Sequence, residues 1–265
     1  MTDAFTPEHR GGNGSPLVCL HGLVDTWRSW DLVLPELERH HDVLAPTLPG
    51  HAGGPPLDGP VSAATLADGV ERAMDAASFE TAHIAGNSLG GFVALQLAER
   101  GRARSVVALA PGGGWRVDDG AQADTHGYFL KLREAAQSAA PHVDAIVATS
   151  EGRRAGTEYI AVNFEHIPGG LIAHQILGVA GCQGLPALVD YAARSGWHLD
   201  PAAITCPVRI VWGTADRILP WPAAAVRFRE EWVPQAEWIE LDGVGHCPQL
   251  DVPLETAQLI AGFTA

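Results

Sequence analysis

Short apolar runs recur along the chain at Leu17–Leu20, Asp42–Ala45, His83–Ala85, Val106–Ala110, Arg209–Trp212 and Glu237–Leu241. Between them lie longer stretches with helical spacing, among them Thr65–Ala77, Leu89–Arg100, Trp221–Glu231 and Leu254–Phe263. Runs this brief and this apolar read as strands covered on both faces. Strands that alternate with helices pair in parallel, because each return across the sheet needs a crossover. The sequence therefore predicts an α/β fold with a mostly parallel central sheet flanked by helices. A length of 265 residues suits one large domain with a substantial core.

The strand–helix rhythm stops between Gly112 and Ala203. That stretch opens with Pro111-Gly112-Gly113-Gly114 and continues as helical patterns such as Thr125–Ala140 and His142–Ser150. A long insertion in a compact domain is usually functional or a subdomain. It is read as a helical cap (112–203) over the carboxyl edge of the sheet, with residues 1–111 and 204–265 as the core. The stretch before Leu17 leaves room for one short edge strand.

Composition narrows the partners. Seventeen basic against 31 acidic residues give a formal charge of −14. Such a surface repels phosphate backbones and anionic lipid, so neither nucleic acid nor membrane is an expected partner, and a small molecule is. The opening MTDAFTPEHRGG has no apolar run behind a basic start, and no apolar stretch approaches ~18 residues. Cys19, Cys182, Cys206 and Cys247 lack C-x-x-C spacing, which predicts reduced thiols and a cytoplasmic setting, with a Cys182–Cys206 bridge left open. No H-E-x-x-H or similar spacing points to a metal. A phosphate-binding loop fails for want of Gly-Lys-Ser/Thr and of an acidic residue on a later strand end, so no cofactor is expected.

The chemistry centres on Gly86-Asn87-Ser88-Leu89-Gly90, followed by Gly91. The pentapeptide alone is a weak signal, compatible with a glycine-rich turn capped by serine. Its context is stronger, since His83-Ile84-Ala85 reads as a strand and Phe92–Ala98 as a helix. A serine at that junction sits on a tight, strained turn, with glycines where side chains would collide with strand and helix. The turn lifts the hydroxyl above the sheet, at the amino end of a helix that favours developing negative charge.

A serine hydroxyl needs a base to take its proton. Of 12 histidines, His246 is favoured, because Gly243-Val244-Gly245-His246 is a flexible loop directly after a strand, on the same sheet edge as Ser88. Asp216, in Trp212-Gly213-Thr214-Ala215-Asp216, lies past another strand end and is the expected carboxylate partner of the imidazole. Asp242 is the competitor, read instead as a strand-end residue. The backbone N–H groups of Leu23, after His21-Gly22, and of Leu89 would form an oxyanion hole. His21 reads as structural, and His40, His41, His51 and His83 as turn or surface residues.

Together these residues resemble the α/β-hydrolase superfamily, in its lid-bearing serine esterase branch. The resemblance covers nearly the whole chain outside the cap. It rests on His21-Gly22 with Trp30 behind it, Leu48-Pro49-Gly50-His51, Gly86–Gly91, Gly213–Asp216 and Gly245-His246-Cys247-Pro248. The order Ser, Asp, His is the superfamily's order. The resemblance implies a carboxylic-ester hydrolase acting through Ser88, Asp216 and His246. Haloalkane dehalogenases and epoxide hydrolases of this superfamily use an aspartate nucleophile, so the serine argues against both. Carbon–carbon hydrolases of ring-fission products share Gly-Asn-Ser and are the alternative, although they carry a tryptophan where this chain has Cys247. Thioesterase, lactonase or a non-catalytic binding protein on the same fold are further alternatives. An apolar substrate is suggested by Trp27, Trp115, Tyr128, Phe129 and Ile146, with Val147, Phe164, Trp197, Ile218 and Leu219, as candidate pocket lining. Arg153 and Arg154 read as a solvated turn.

Overall fold

The computed structural model describes residues 5–62, 64–116 and 121–264, without the side chains of 121–123. The apolar runs form β2 (Ser15–Leu20), β3 (His41–Pro46), β4 (Ala82–Asn87), β5 (Ala103–Leu109), β6 (Val208–Gly213) and β7 (Glu237–Leu241), preceded by a short β1 (Glu8–Gly11). Among the described residues they make one 7-stranded sheet in the order β1-β3-β2-β4-β5-β6-β7. β1 is antiparallel to β3 and occupies the edge. All other pairings are parallel.

Side chains along each strand alternate between two cores, as the period of two requires. Val18 and Leu20 of β2, Ile84 of β4, Val106 and Ala108 of β5 and Ile210 and Trp212 of β6 enter one core. Leu17, Cys19, Ala85, Val107, Leu109 and Val211 enter the other. The helices around the sheet are α1 (Leu34–Leu37), α2 (Thr65–Ala76), α3 (Leu89–Glu99), α9 (Pro248–Asp251) and α10 (Pro253–Thr264); between β5 and β6 lie α4 (Ala121–Ala139), α5 (Val143–Val147), α6 (Ser150–Thr157), α7 (Gly169–Gly181) and α8 (Leu185–Ser195). Leu66, Val70 and Met74 of α2 and the nearly all-apolar α3 cover the first face. Trp30, Leu34 and Leu37, with Ala257 and Ile260 of α10, cover the second.

Among the described residues the segment between β5 and β6 is helical and contributes no strand to the sheet. Its internal division differs from expectation. His142–Ser150 is not one helix, because α5 ends at Val147 and the Thr149 hydroxyl accepts the Gly152 N–H at 3.0 Å to start α6 afresh. Trp221–Glu231 is not an α-helix either. It divides into a 3-10 turn at Ala223–Ala225 and a π turn at Phe228–Trp232. Pro220 and Pro222 deprive its first turn of backbone donors.

Two histidines read as turn or surface residues, His41 and His51, are buried. The His41 ring lies between the hydroxyls of Ser15 and Thr264, at 2.8 and 2.9 Å, and ties β2 and β3 to α10. His51 packs 4.9 Å from the His21 ring, and burial pushes its pKa down to about 4. His83 is half-buried and bonds the Ser105 hydroxyl at 2.8 Å. All four cysteines are free, so Cys182 and Cys206 do not pair.

Candidate active site

β4 ends at Asn87 and α3 begins at Leu89, leaving Ser88 alone to make the turn. Its backbone sits at φ 54°, ψ −117°, a region L-residues rarely adopt. The flanking glycines are obligatory. A Cβ on Gly86 would stand 2.3 Å from the Gly90 carbonyl oxygen, and one on Gly90 would stand 2.3 Å from the Leu20 carbonyl oxygen. Those contacts are backbone to backbone and cannot be relieved by a rotamer change. The turn is held by Ser88 N–H donating to Leu109 O at 2.9 Å and by Ser88 O accepting Gly112 N–H at 3.0 Å.

Asp216 and His246 meet above the neighbouring strand ends. The His246 Nδ1–H donates to Asp216 Oδ2 at 2.7 Å, with both side chains almost wholly buried. The other carboxylate oxygen, Oδ1, accepts the N–H groups of Ile218 and Leu219, each at 2.8 Å. Both oxygens are thus occupied in one orientation, and Nε2 is left as the basic nitrogen of the imidazole. Asp242 stands apart, accepting the Thr214 hydroxyl at 3.2 Å.

Ser88 and His246 face a common cavity of about 290 Å³, and among the described residues no hydrogen bond joins them. Catalytic hydrogen bonds are often long before substrate arrives. Gly22 packs against the serine, its position for a Cβ lying 3.3 Å from Ser88 Cβ. Among the described residues, the backbone N–H groups of Leu23 and Leu89 make no hydrogen bond within the protein. His21 is structural, as expected. Its Nδ1–H donates to Gly22 O at 2.7 Å and its Nε2 accepts Leu48 N–H at 2.9 Å. Burial and the neighbouring His51 hold His21 well below the usual imidazole range.

Two residues that sequence reasoning passed over hold this edge together. Asn87 donates from Nδ2 to the carbonyls of Leu109 and His246, at 3.1 and 3.0 Å, while its Oδ1 accepts Gln249 Nε2–H at 3.1 Å. Asp251 accepts Gly245 N–H at 2.6 Å and Val162 N–H at 2.9 Å, and both the backbone and side-chain N–H of Asn163, at 2.8 and 2.7 Å. Asp251 thereby fastens the histidine loop to the inserted helical segment. The signal for Asn87 lay in the turn motif itself; Asp251 gave none, because three of its four bonds come from Val162 and Asn163, 89 and 88 positions away.

Of the candidate lining residues, Trp115, Phe129, Trp197, Ile218 and Leu219 surround a second cavity of about 160 Å³ that also reaches Ser88. Tyr128, Phe129, Ile146 and Ile218 line the larger one. Trp27, Val147 and Phe164 line neither. Trp27 stacks on His9 and donates to the Thr6 hydroxyl, whereas Val147 and Phe164 pack beside Ile167 and Leu171. Arg153 and Arg154 belong to α6 rather than to a turn, and neither lines these cavities.

A family profile described as the alpha/beta hydrolase fold matches residues 15–253. The chain belongs to the alpha/beta hydrolase family. Among the relatives of this alpha/beta hydrolase is the epoxide hydrolase EphH of Mycobacterium tuberculosis, 34% identical over 215 residues, covering 77% of this chain and 95% of that protein. A 2-hydroxymuconate semialdehyde hydrolase of Pseudomonas sp. (strain CF600) is 36% identical over 111 residues, 40% of this chain and 39% of that protein. A thermophilic esterase from Thermogutta terrifontis superposes with a TM-score of 0.73 at 20% identity, covering 97% of this chain and 91% of that one; that likeness is one of fold.

Proposed function

We propose that this alpha/beta hydrolase cleaves a small, largely apolar carboxylic ester through Ser88, His246 and Asp216. The observation that carries the reading is the buried Asp216–His246 hydrogen bond of 2.7 Å beside a serine held at positive φ on the same sheet edge. His246 Nε2 takes the proton as Ser88 Oγ attacks the ester carbonyl. The tetrahedral oxyanion forms against the N–H groups of Leu23 and Leu89, which have no protein acceptor among the described residues. Collapse expels the alcohol with the proton from His246, leaving an acyl-enzyme. Water, activated by the same imidazole, then releases the acid.

Two other chemistries fit less well. An epoxide opened by a serine oxygen would leave an alkyl ether on the protein, and an ether, unlike the ester formed by a carboxylate nucleophile, has no acyl carbon for water to attack. Ring-fission products are conjugated anions, and neither cavity has a lysine or arginine among its lining residues. The reading includes a cytoplasmic setting, supported by four free thiols in a chain of formal charge −14. The test is a panel of p-nitrophenyl esters, styrene oxide and a dienol ring-fission compound, with an organophosphonate to label the nucleophile. Ester turnover and stoichiometric labelling of Ser88 are expected. Diol formation, or rapid bleaching of the dienol with poor ester turnover, would overturn the proposal.

A further inference from the structure

Ser88 lines two cavities, of which only the larger has carboxylates among its described lining residues. The smaller, of about 160 Å³, runs over Leu89 and is walled by Leu66, Phe92, Trp115, Leu188 and Trp197. The larger, of about 290 Å³, contains His246. The leaving oxygen must collect its proton from His246, so in the ester reading above the alcohol portion lies in the larger cavity and the acyl portion in the smaller. The larger cavity is not uniformly apolar. Beside Ile146, Leu132 and Ile176, its wall includes Asp25, Gln175 and Glu158.

Asp25 closes a turn with Gly22, its N–H donating to the Gly22 carbonyl at 3.3 Å, and lines the same cavity as Ser88. Its Oδ1 accepts the Thr26 N–H at 2.7 Å and its Oδ2 accepts Gln175 Nε2–H at 3.1 Å. A carboxylate offers about four lone-pair positions, so these two bonds leave it unsaturated. Gln175, on α7, is more than nine-tenths buried, and its Oε1 has no hydrogen-bond partner. A buried acceptor without a donor is costly, and here it sits beside a carboxylate that is also short of donors. Tyr128 lines the same cavity and adds an aromatic ring, a surface that attracts cations. Burial lifts the Asp25 carboxyl to about 6, against the opposing effect of its Thr26 and Gln175 bonds, so at neutral pH the cavity wall holds a charge it solvates poorly.

We propose that the larger cavity is a leaving-group site for alcohols that carry a hydrogen-bond donor, protonated amines above all, with Asp25 and Gln175 as the residues that select them. The inference rests on the ester-hydrolase reading for which end of the substrate enters which cavity. The donor places its N–H on the Asp25 carboxylate, which Gln175 holds in place through Nε2, with the face of Tyr128 available to the cation. An anionic alcohol meets Asp25 and Glu158, and no lysine or arginine is among the described residues that line the cavity.

The test uses three butyrate esters of similar length on the full chain at pH 7.5: 3-(dimethylamino)propyl, its hydrocarbon counterpart 4-methylpentyl, and 3-carboxypropyl. A hydrogen bond to a charged group in a partly apolar site predicts kcat/KM for the amine ester about ten- to a hundredfold above the hydrocarbon one, with the carboxylate ester last. Asp25→Asn should collapse the amine-to-hydrocarbon ratio to near one, and Gln175→Met should reduce it. A parent ratio at or below one, or an Asp25→Asn variant that loses all three activities equally and keeps the ratio, would overturn the proposal and leave Asp25 as a clamp on the turn. If no ester is cleaved and Ser88 resists phosphonate, the ester reading itself fails. Ligand-observed NMR binding of 3-(dimethylamino)-1-propanol then decides the site alone: loss of binding in Asp25→Asn supports it, and equal or absent binding in parent and variant overturns it.

Discussion

At the carboxyl edge of the sheet, Asn87, Asp216 and Asp251 are each engaged with backbone groups from at least two positions in the chain. Across the cavity, α4 and α8 meet the core largely through apolar side chains such as Phe129, Leu185 and Val189, packed on Val24. Directed hydrogen bonds fix atoms to within tenths of an ångström, whereas apolar packing tolerates exchange of side chains of similar volume. The edge is thus built to hold reacting groups still, and the helices to give the cavity a shape that can vary. Polar ties between the two layers include Thr26 to His174 at 3.0 Å, Asp25 to Gln175, Asp251 to Val162 and Asn163, His166 to the Leu250 carbonyl at 2.8 Å, and Cys247 N–H to the Ile160 carbonyl at 2.8 Å.

The contrast is broken most severely at the edge. Ser88→Ala should lower ester turnover by ~10³-fold or more with an unchanged circular dichroism spectrum, since only the oxyanion donors and binding remain. Asp216→Asn should cost a comparably large factor, because an amide cannot hold the imidazole in the required tautomer. Asp242→Asn, at a carboxylate that accepts the Thr214 hydroxyl, should stay within about threefold of the parent on the same assay. A reversal of these two aspartates would displace Asp216 from its role.

On the helical side the effects should fall on ranking rather than on rate. Resizing Trp197 or Leu188 in the smaller cavity, or Ile146 in the larger, should reorder esters by roughly ten- to a few hundredfold, the limit that apolar contacts allow. Turnover of an acetate ester of a short alcohol should move far less. If such variants depress all esters equally, the helices contribute to chemistry and the contrast fails.

Asp251 spans the two regions and sharpens the comparison. Asp251→Asn removes one of two acceptor oxygens that together take four N–H groups, a loss of about 2 kcal/mol, or a fall in Tm of roughly 4–8 °C. Because Gly245 adjoins His246, kcat should fall about tenfold while KM changes little, measured alongside a melting curve. A lowered Tm with unaltered kcat would confine Asp251 to packing.

The smallest effect is expected at Asp25. Folding raises its pKa from 3.8 to about 6, so the folded chain holds a proton that the unfolded chain releases. Stability therefore falls as pH rises from about 4 to about 6 and levels beyond. Asp25→Asn escapes that loss, and because Asp25 is partly exposed, so that water screens much of the shift, its Tm relative to the parent should climb across this window by a few degrees, read from melting curves at pH 4, 5, 6 and 7.5.

What could be read in advance follows the same division. Strand runs such as Val106–Ala110, the Gly86–Gly91 turn and the order Ser88, Asp216, His246 were legible, because periodicity and steric need at a tight turn act over a few residues. Ala110 lies outside β5 only because its backbone turns to φ 41°. The breaks at Thr149 and Pro222 were also local signals, outweighed by the helical spacing around them. Other features depend on groups distant in the chain and leave no mark in a window of sequence. The burial of His41 required Thr264, the clamp at Asp251 required Val162 and Asn163, and the exclusion of Val147 and Phe164 from the cavities depended on which face α5 and the loop after α6 present to Ile167. The sequence by itself determined the sheet, the strained turn and the three residues at its edge, since local sterics and hydrophobic alternation dictate them. Only the tertiary structure decided which side chains form the cavity walls and that Asp25 meets Gln175 there, because long-range packing sets the 150-residue separation that brings those two together.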